Sequence, residues 1–87
     1  MIAQKTLIQD IFKKCVMNNL RITCIESCTG GMISAAITDV PGSSKVFDKG
    51  LITYSNESKV RILGVSGLSI EKHGAVSREV IREMAKS

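Results

Sequence analysis

The residues best equipped for chemistry in this chain are Glu26-Ser27-Cys28-Thr29-Gly30-Gly31, which bring a carboxylate, two hydroxyls and a thiol to one short stretch. The run sits where an apolar segment, 21–25, gives way to a helical pattern. A strand that feeds a helix through small nucleophilic residues aims side chains and backbone N–H groups at one spot, and a helix start also attracts negative charge. Both catalysis and anion binding are open on these residues. Cys28 beside a helix start, with His73, would suit a cysteine hydrolase, although a small cysteine is more often buried as an apolar residue. Ser69-Ile70-Glu71-Lys72 matches an SxxK pattern, but four residues are too few to weigh much.

The elements that must position these groups follow from hydrophobic spacing. Leu7, Ile8, Ile11, Phe12, Cys15 and Val16 recur every three or four residues and predict an amphipathic helix over 3–19. Residues 20–25, with β-branched Ile22, Thr23 and Ile25, read as a strand. Met32, Ile33, Ala35, Ala36, Ile37 and Val40 recur at helical spacing over 31–40 and predict a helix stopped by Asp39-Val40-Pro41-Gly42 and buried against a sheet. Residues 46–54 read as a second strand, bulged or bent at Gly50. Short helices are expected over 57–63, closed by Gly64, and over 68–73. Ser77 reads as the N-cap of a last helix over 78–86, whose Val80, Ile81, Met84 and Ala85 share a face with nothing after them to cover it.

Eighty-seven residues make one domain. With 44% hydrophobic residues, one Tyr, two Phe and no Trp, the core must be aliphatic. No apolar run reaches the roughly 20 residues of a membrane span, and the opening residues lack the charged-then-apolar order of a secretion signal, so no membrane partner is expected and the cytoplasm is the expected compartment. Cys15, Cys24 and Cys28 are an odd number without CxxC spacing, and His73 is the single histidine. Neither a disulfide framework nor a metal site is expected, and no cofactor is implied by any spacing. The net charge of +4 is spread from Lys5 to Lys86 without a basic stripe or interleaved aromatics, so nucleic acid is not an expected partner. A phosphate-bearing small molecule would still be attracted.

Five blocks then resemble a known family. Glu26-Ser27-Cys28-Thr29-Gly30-Gly31, Thr38-Asp39-Val40-Pro41-Gly42-Ser43-Ser44, Thr53-Tyr54-Ser55-Asn56-Glu57 with Lys59, Leu63-Gly64-Val65, and His73-Gly74-Ala75-Val76-Ser77 are similar to the C-terminal domain of the competence/damage-inducible protein CinA. The resemblance implies an α/β fold, a three-layer α/β/α CinA-like sandwich, incomplete in this chain as helix-strand-helix-strand-helices. Residues 1–87 would then form a single truncated domain of that kind, since the family domain runs on well past this length. It also implies deamidation of nicotinamide mononucleotide to nicotinate mononucleotide and ammonia, in pyridine nucleotide salvage.

Carried over position by position, the resemblance implies Ser27 as nucleophile, Lys59 as base and proton shuttle, and Tyr54 as an orienting hydrogen-bond partner, with Ser44 the reserve nucleophile. Glu26, Thr29, Gly30, Gly31, Ser43, Ser44 and Asn56 would bind the substrate. A lysine base has to shed its proton for part of the cycle. Burial or a nearby cation favours that, a position near a helix start pushes the same way, and a close Glu57 carboxylate would oppose it.

Each residue also has a plainer reading. Ser27 and Thr29 would be N-caps, Gly30-Gly31 a device for tight packing, and Lys59 a solvated helix lysine. Tyr54 would be a half-buried strand-end aromatic, residues 41–44 a turn, Glu26 a brace for the 27–31 turn, and His73 a partner of the last helix carbonyls. At the level of function the alternative is a catalytically inactive remnant that binds a ligand or another protein. The open face of the last helix and uncovered strand edges lead to the further expectation of a homo-oligomer.

Overall fold

A computed structural model describes residues 2–87, with side chains from residue 5 onward. Five α-helices and two strands follow one another as α1 (Ile2–Met17), β1 (Ile22–Glu26), α2 (Met32–Thr38), β2 (Phe47–Ile52), α3 (Asn56–Leu63), α4 (Gly67–His73) and α5 (Arg78–Lys86), with a 3₁₀ turn at Ser43–Lys45 before β2. The strands form a two-stranded sheet. Ile22 donates to the Val46 carbonyl at 2.8 Å and Thr53 donates to the Glu26 carbonyl at 2.9 Å, so residue numbers rise together along the ladder and the strands are parallel. Parallel strands need a long crossover, which residues 27–46 supply with α2. The α/β class and the expected element order are those of the molecule.

The chain divides into two compact units. The first comprises the residues up to Cys24 with Gly31–Leu51. Here α1 packs against α2, and Cys15 and Val46 are buried. An apolar cleft of about 610 Å³ lies in this unit, lined by Leu7, Ile11, Phe12, Met32, Ile33 and Val40 among others. Contrary to the burial expected for the second helix, α2 buries no residue fully, and Met32 and Ile33 stay exposed on the cleft. That helix stops at Thr38, just before the expected stop at Asp39-Val40-Pro41-Gly42, and the Thr38 hydroxyl turns back onto the Ser34 carbonyl at 2.9 Å. Gly50 lies inside β2 for a steric reason: a Cβ there would come within 2.5 Å of Ser34 Oγ and 3.4 Å of the Phe47 ring.

The second unit comprises Ile25–Gly30 and Ile52–Ser87. Its core is Val65, Val80 and Met84, with Ile25, Leu63 and Ile70 against them. The expected open face of the last helix is therefore corrected: Val80 is 0% exposed and Met84 is buried, while Ile81 and Ala85 point outward. Val80 and Met84, one turn apart, meet Val65 from the loop between α3 and α4, a contact that spacing along α5 alone does not disclose. The ground this face gave for self-association goes with it.

Serines begin all three helices of this unit. Ser55, Ser66 and Ser77 each accept the N–H three residues on, from Ser58, Ser69 and Val80, satisfying one of the donors that a helix start leaves open. Gly64 closes α3 at φ 73, a left-handed angle that only a residue without Cβ takes at no cost. Among the described residues no helix is long and apolar enough to cross a membrane.

Candidate active site at the strand ends

The carboxyl ends of parallel strands are where α/β folds place ligands, because the chain leaves the sheet there in loops that lead to helix starts. In the second unit β1 ends at Glu26 and β2 at Ile52, and the Thr53 N–H to Glu26 carbonyl bond ties the two exits together. Ser27 follows β1 directly, and Tyr54 follows β2 after Thr53. Ser27 is half-buried, and its carbonyl accepts the Gly30 N–H at 3.0 Å, closing a tight turn that Gly30, at φ 61, completes in the left-handed region.

Glu26 is buried, and its Oε1 accepts the Thr29 hydroxyl at 2.7 Å. The carboxylate therefore braces the turn, with the Thr29 hydroxyl among its partners. The plain reading of Ser27 and Thr29 as caps does not hold. The N-cap of α2 is Gly31, at φ 101, with no side-chain cap bond. Neither hydroxyl is used to start the helix, and that of Thr29 serves Glu26.

Lys59 departs furthest from its plain reading. It stands in the first turns of α3, yet it is 1% exposed, and its Nζ donates to the Tyr54 carbonyl at 3.0 Å. Burying an amine this completely costs free energy unless its surroundings supply hydrogen bonds, and the one recorded for Nζ returns it to the strand exit. Glu57 does not oppose it at close range, since its carboxylate pairs with Arg61 at 3.3 Å on the exposed side of the helix. Tyr54 is corrected in the other direction. Its ring is 71% exposed, so the contact with Lys59 runs through its main chain. Asn56, at the start of α3, is exposed.

Glu26, Ser27, Thr29, Gly30, Tyr54, Asn56 and Lys59 thus share the second unit, while Gly31, Ser43 and Ser44 belong to the first. There Ser43 donates its hydroxyl to the Thr38 carbonyl at 3.2 Å, and Ser44 is exposed on the 3₁₀ turn. Cys28 is exposed, against the burial expected of it. His73 Nδ1 lies 3.9 Å from the Glu79 carboxylate, so its recorded partner is an acid on α5 in place of a helix-end carbonyl. Sequence reading passes over Thr53, a hydroxyl 1% exposed with no partner for its Oγ1. The available signal was its polar side chain after the apolar Leu51-Ile52. Among the described residues no three His, Cys, Asp or Glu side chains gather as a metal site.

Comparison with known proteins places this geometry. The family model described as the CinA C-terminal domain matches residues 4–87. A protein of Enterobacter agglomerans named nicotinamide-nucleotide amidohydrolase PncC is 58% identical over 64 residues, which are 74% of this chain and 39% of that protein. The protein of the same name from Shewanella oneidensis is 49% identical over 81 residues, 93% of this chain and 19% of its own length. Among solved structures, the competence damage-inducible protein A (ComA) of Klebsiella pneumoniae matches with a TM-score of 0.92 at 30% identity, over 95% of this chain and 52% of that one. The chain thus spans a minor part of the curated relatives and about half of the solved one. On a match that runs through all the strand-end residues described above, the chain belongs to the CinA C-terminal domain family.

Proposed function

We propose that this chain carries the nucleophile and base of an amidohydrolase that converts nicotinamide mononucleotide to nicotinate mononucleotide and ammonia. The observation that carries this reading is Lys59, a buried amine held at 3.0 Å to the Tyr54 carbonyl where two parallel strands end and Ser27 begins the next turn. A solvated helix lysine would not be placed there. The names of two relatives, nicotinamide-nucleotide amidohydrolase, support the substrate class. Residues 1–87 are read as part of one CinA C-terminal-like domain acting in pyridine nucleotide salvage in the cytoplasm.

In this mechanism Ser27 Oγ attacks the carboxamide carbon while its proton passes to Lys59 Nζ. The tetrahedral oxyanion collapses, the C–N bond breaks, and Lys59 returns the proton to the departing nitrogen, which leaves as ammonia. Water then attacks the ester on Ser27, giving one proton to Lys59 as its oxygen bonds to carbon. The C–O bond to Ser27 breaks, the proton on Lys59 restores the Ser27 hydroxyl, and the carboxylic acid that departs gives its remaining proton to solvent to become the carboxylate. Tyr54 orients Lys59 through its carbonyl. Glu26 and Thr29 hold the turn in shape, and Gly30 lets substrate approach the backbone. Asn56 offers an amide at the start of α3. For Gly31, Ser43 and Ser44 a binding role rests on the family resemblance alone.

The test is ammonia release from nicotinamide mononucleotide by this chain and by Ser27→Ala. A fall of about 10³-fold or more is expected for loss of a nucleophile. Equal rates would remove the serine mechanism and leave a binding module without catalysis.

A further inference from the structure

Thr53 presents a cost without a visible return. It is 1% exposed, its main-chain N–H is used by the Glu26 carbonyl, and its Oγ1 is the one buried side-chain polar atom among the described residues with no hydrogen-bond partner. A hydroxyl buried in this way destabilises the folded state, and valine would offer the same branched shape without the unpaired group. Native structures satisfy nearly all such atoms, so an exception calls for a reason.

The position of Thr53 suggests one. It is the residue before Tyr54, whose carbonyl accepts Lys59 Nζ at 3.0 Å, and it is itself tied to the strand end that leads into Ser27. A neutral amine has two N–H donors and a lone pair, whereas an ammonium has three donors. When Lys59 takes the Ser27 proton, a new N–H and a full positive charge appear on a side chain 1% exposed, and among the described residues the Tyr54 carbonyl is the acceptor that faces Nζ. A further neutral acceptor at that strand end would stabilise the charge as it forms.

We infer that Thr53 is a positioning residue acting through Lys59, its buried hydroxyl being the acceptor held in reserve for the ammonium formed on proton transfer from Ser27. The proton leaves Ser27 Oγ as the Oγ–carbon bond forms, resides on Nζ with Thr53 Oγ1 accepting one of its N–H groups, and departs in ammonia when the C–N bond breaks. The inference rests on the serine–lysine reading and adds to it a residue that never touches substrate.

The experiment compares the wild-type chain with Thr53→Val, Thr53→Ser and Lys59→Met, reading thermal unfolding together with kcat and KM for ammonia release from nicotinamide mononucleotide. Thr53→Val is expected to fold with an unchanged or higher Tm, to lose about 10- to 100-fold in kcat, and to keep KM within about twofold. Thr53→Ser, which keeps the hydroxyl, is expected to restore kcat to within about threefold of wild type. A Thr53→Val chain of full kcat, beside an inactive Lys59→Met, overturns the role of Thr53 and leaves the serine–lysine reading intact. A marked fall in Tm for Thr53→Val, or a loss of kcat in Thr53→Ser equal to that of Thr53→Val, overturns it as well, by showing a packing role. Activity of Lys59→Met equal to wild type, or none in any of the four chains, removes the serine–lysine reading itself.

Discussion

The side chain of Lys59 turns back five residues along the chain to donate its Nζ to the Tyr54 carbonyl at 3.0 Å, at a depth where 1% of the lysine meets solvent. Replacing it with methionine removes the amine and keeps most of the volume. Lys59→Met is expected to lower ammonia release by about 10²- to 10⁴-fold, the usual contribution of a general base, while leaving stability unchanged or slightly raised, since a well-packed apolar side chain substitutes well for a buried charge. Lys59→Ala loses the packing too and is expected to unfold about 2 kcal/mol more easily. Urea unfolding with the ammonia assay separates the two effects.

Val80 closes the second core against Val65 and Met84. Val80→Ala is expected to cost about 2 kcal/mol, from lost transfer free energy and the cavity left behind. For a domain of this size that lowers Tm by about 8–15 °C. Ile81, its outward neighbour on α5, is the control, and Ile81→Ala is expected to stay within about 0.5 kcal/mol of wild type in the same melts.

Gly50 and Ser34 share a space that holds one of them with a side chain. A Cβ on Gly50 would come within 2.5 Å of Ser34 Oγ and 3.3 Å of Ser34 Cβ. Gly50→Ala is expected to cost about 1–3 kcal/mol by overpacking. Because Ser34→Ala takes away the nearer atom, the double variant is expected to be more stable than the sum of the single changes by about 0.5 kcal/mol or more, read from a denaturant double-mutant cycle. Strict additivity would contradict this contact.

Glu83 is a carboxylate held by the start of α4. Its carboxylate accepts the Ser66 N–H at 2.9 Å. That bond, followed by one from the Ser69 side chain, holds the carboxyl below its ordinary value against an opposing effect of burial, with a lesser push in the same direction from His73. The folded state thus favours the charged form, so the contribution to stability is complete above the ordinary carboxylate value and disappears as pH falls through the lower folded value. Glu83→Gln is expected to flatten the acid limb of a stability–pH curve over that window, as measured by urea midpoints. A limb as steep as that of wild type would rule out this bond as its source.

Much of the architecture was legible because its signals are local. Ser77 and the periodicity after it gave α5 its observed bounds, Gly64 ended α3, and β-branched Ile22, Thr23 and Ile25 located the first strand. The site was legible by type more than by circumstance. The 27–31 turn and the strand exit at Tyr54 lie where the pattern put them, but the depth of Lys59, the exposure of the Tyr54 ring and the burial of Val80 depend on segments far apart in the chain. A lysine on a short helix looks solvated until the elements around it are placed. Gly50 shows a related gap: a glycine in a strand suggests a bend or bulge, and the Ser34 side chain for which it also makes room is not visible from spacing.

The serine starts of α3, α4 and α5 have an energetic corollary. These helices have 8, 7 and 9 residues, and isolated helices below about 12–15 residues are marginal in water. Local punctuation fixes where each begins but cannot keep any of them folded. Their persistence is borrowed from Val65, Val80 and Met84, so the three helices stand or melt as a block, and the turn of α3 bearing Lys59 keeps its form only while that block holds.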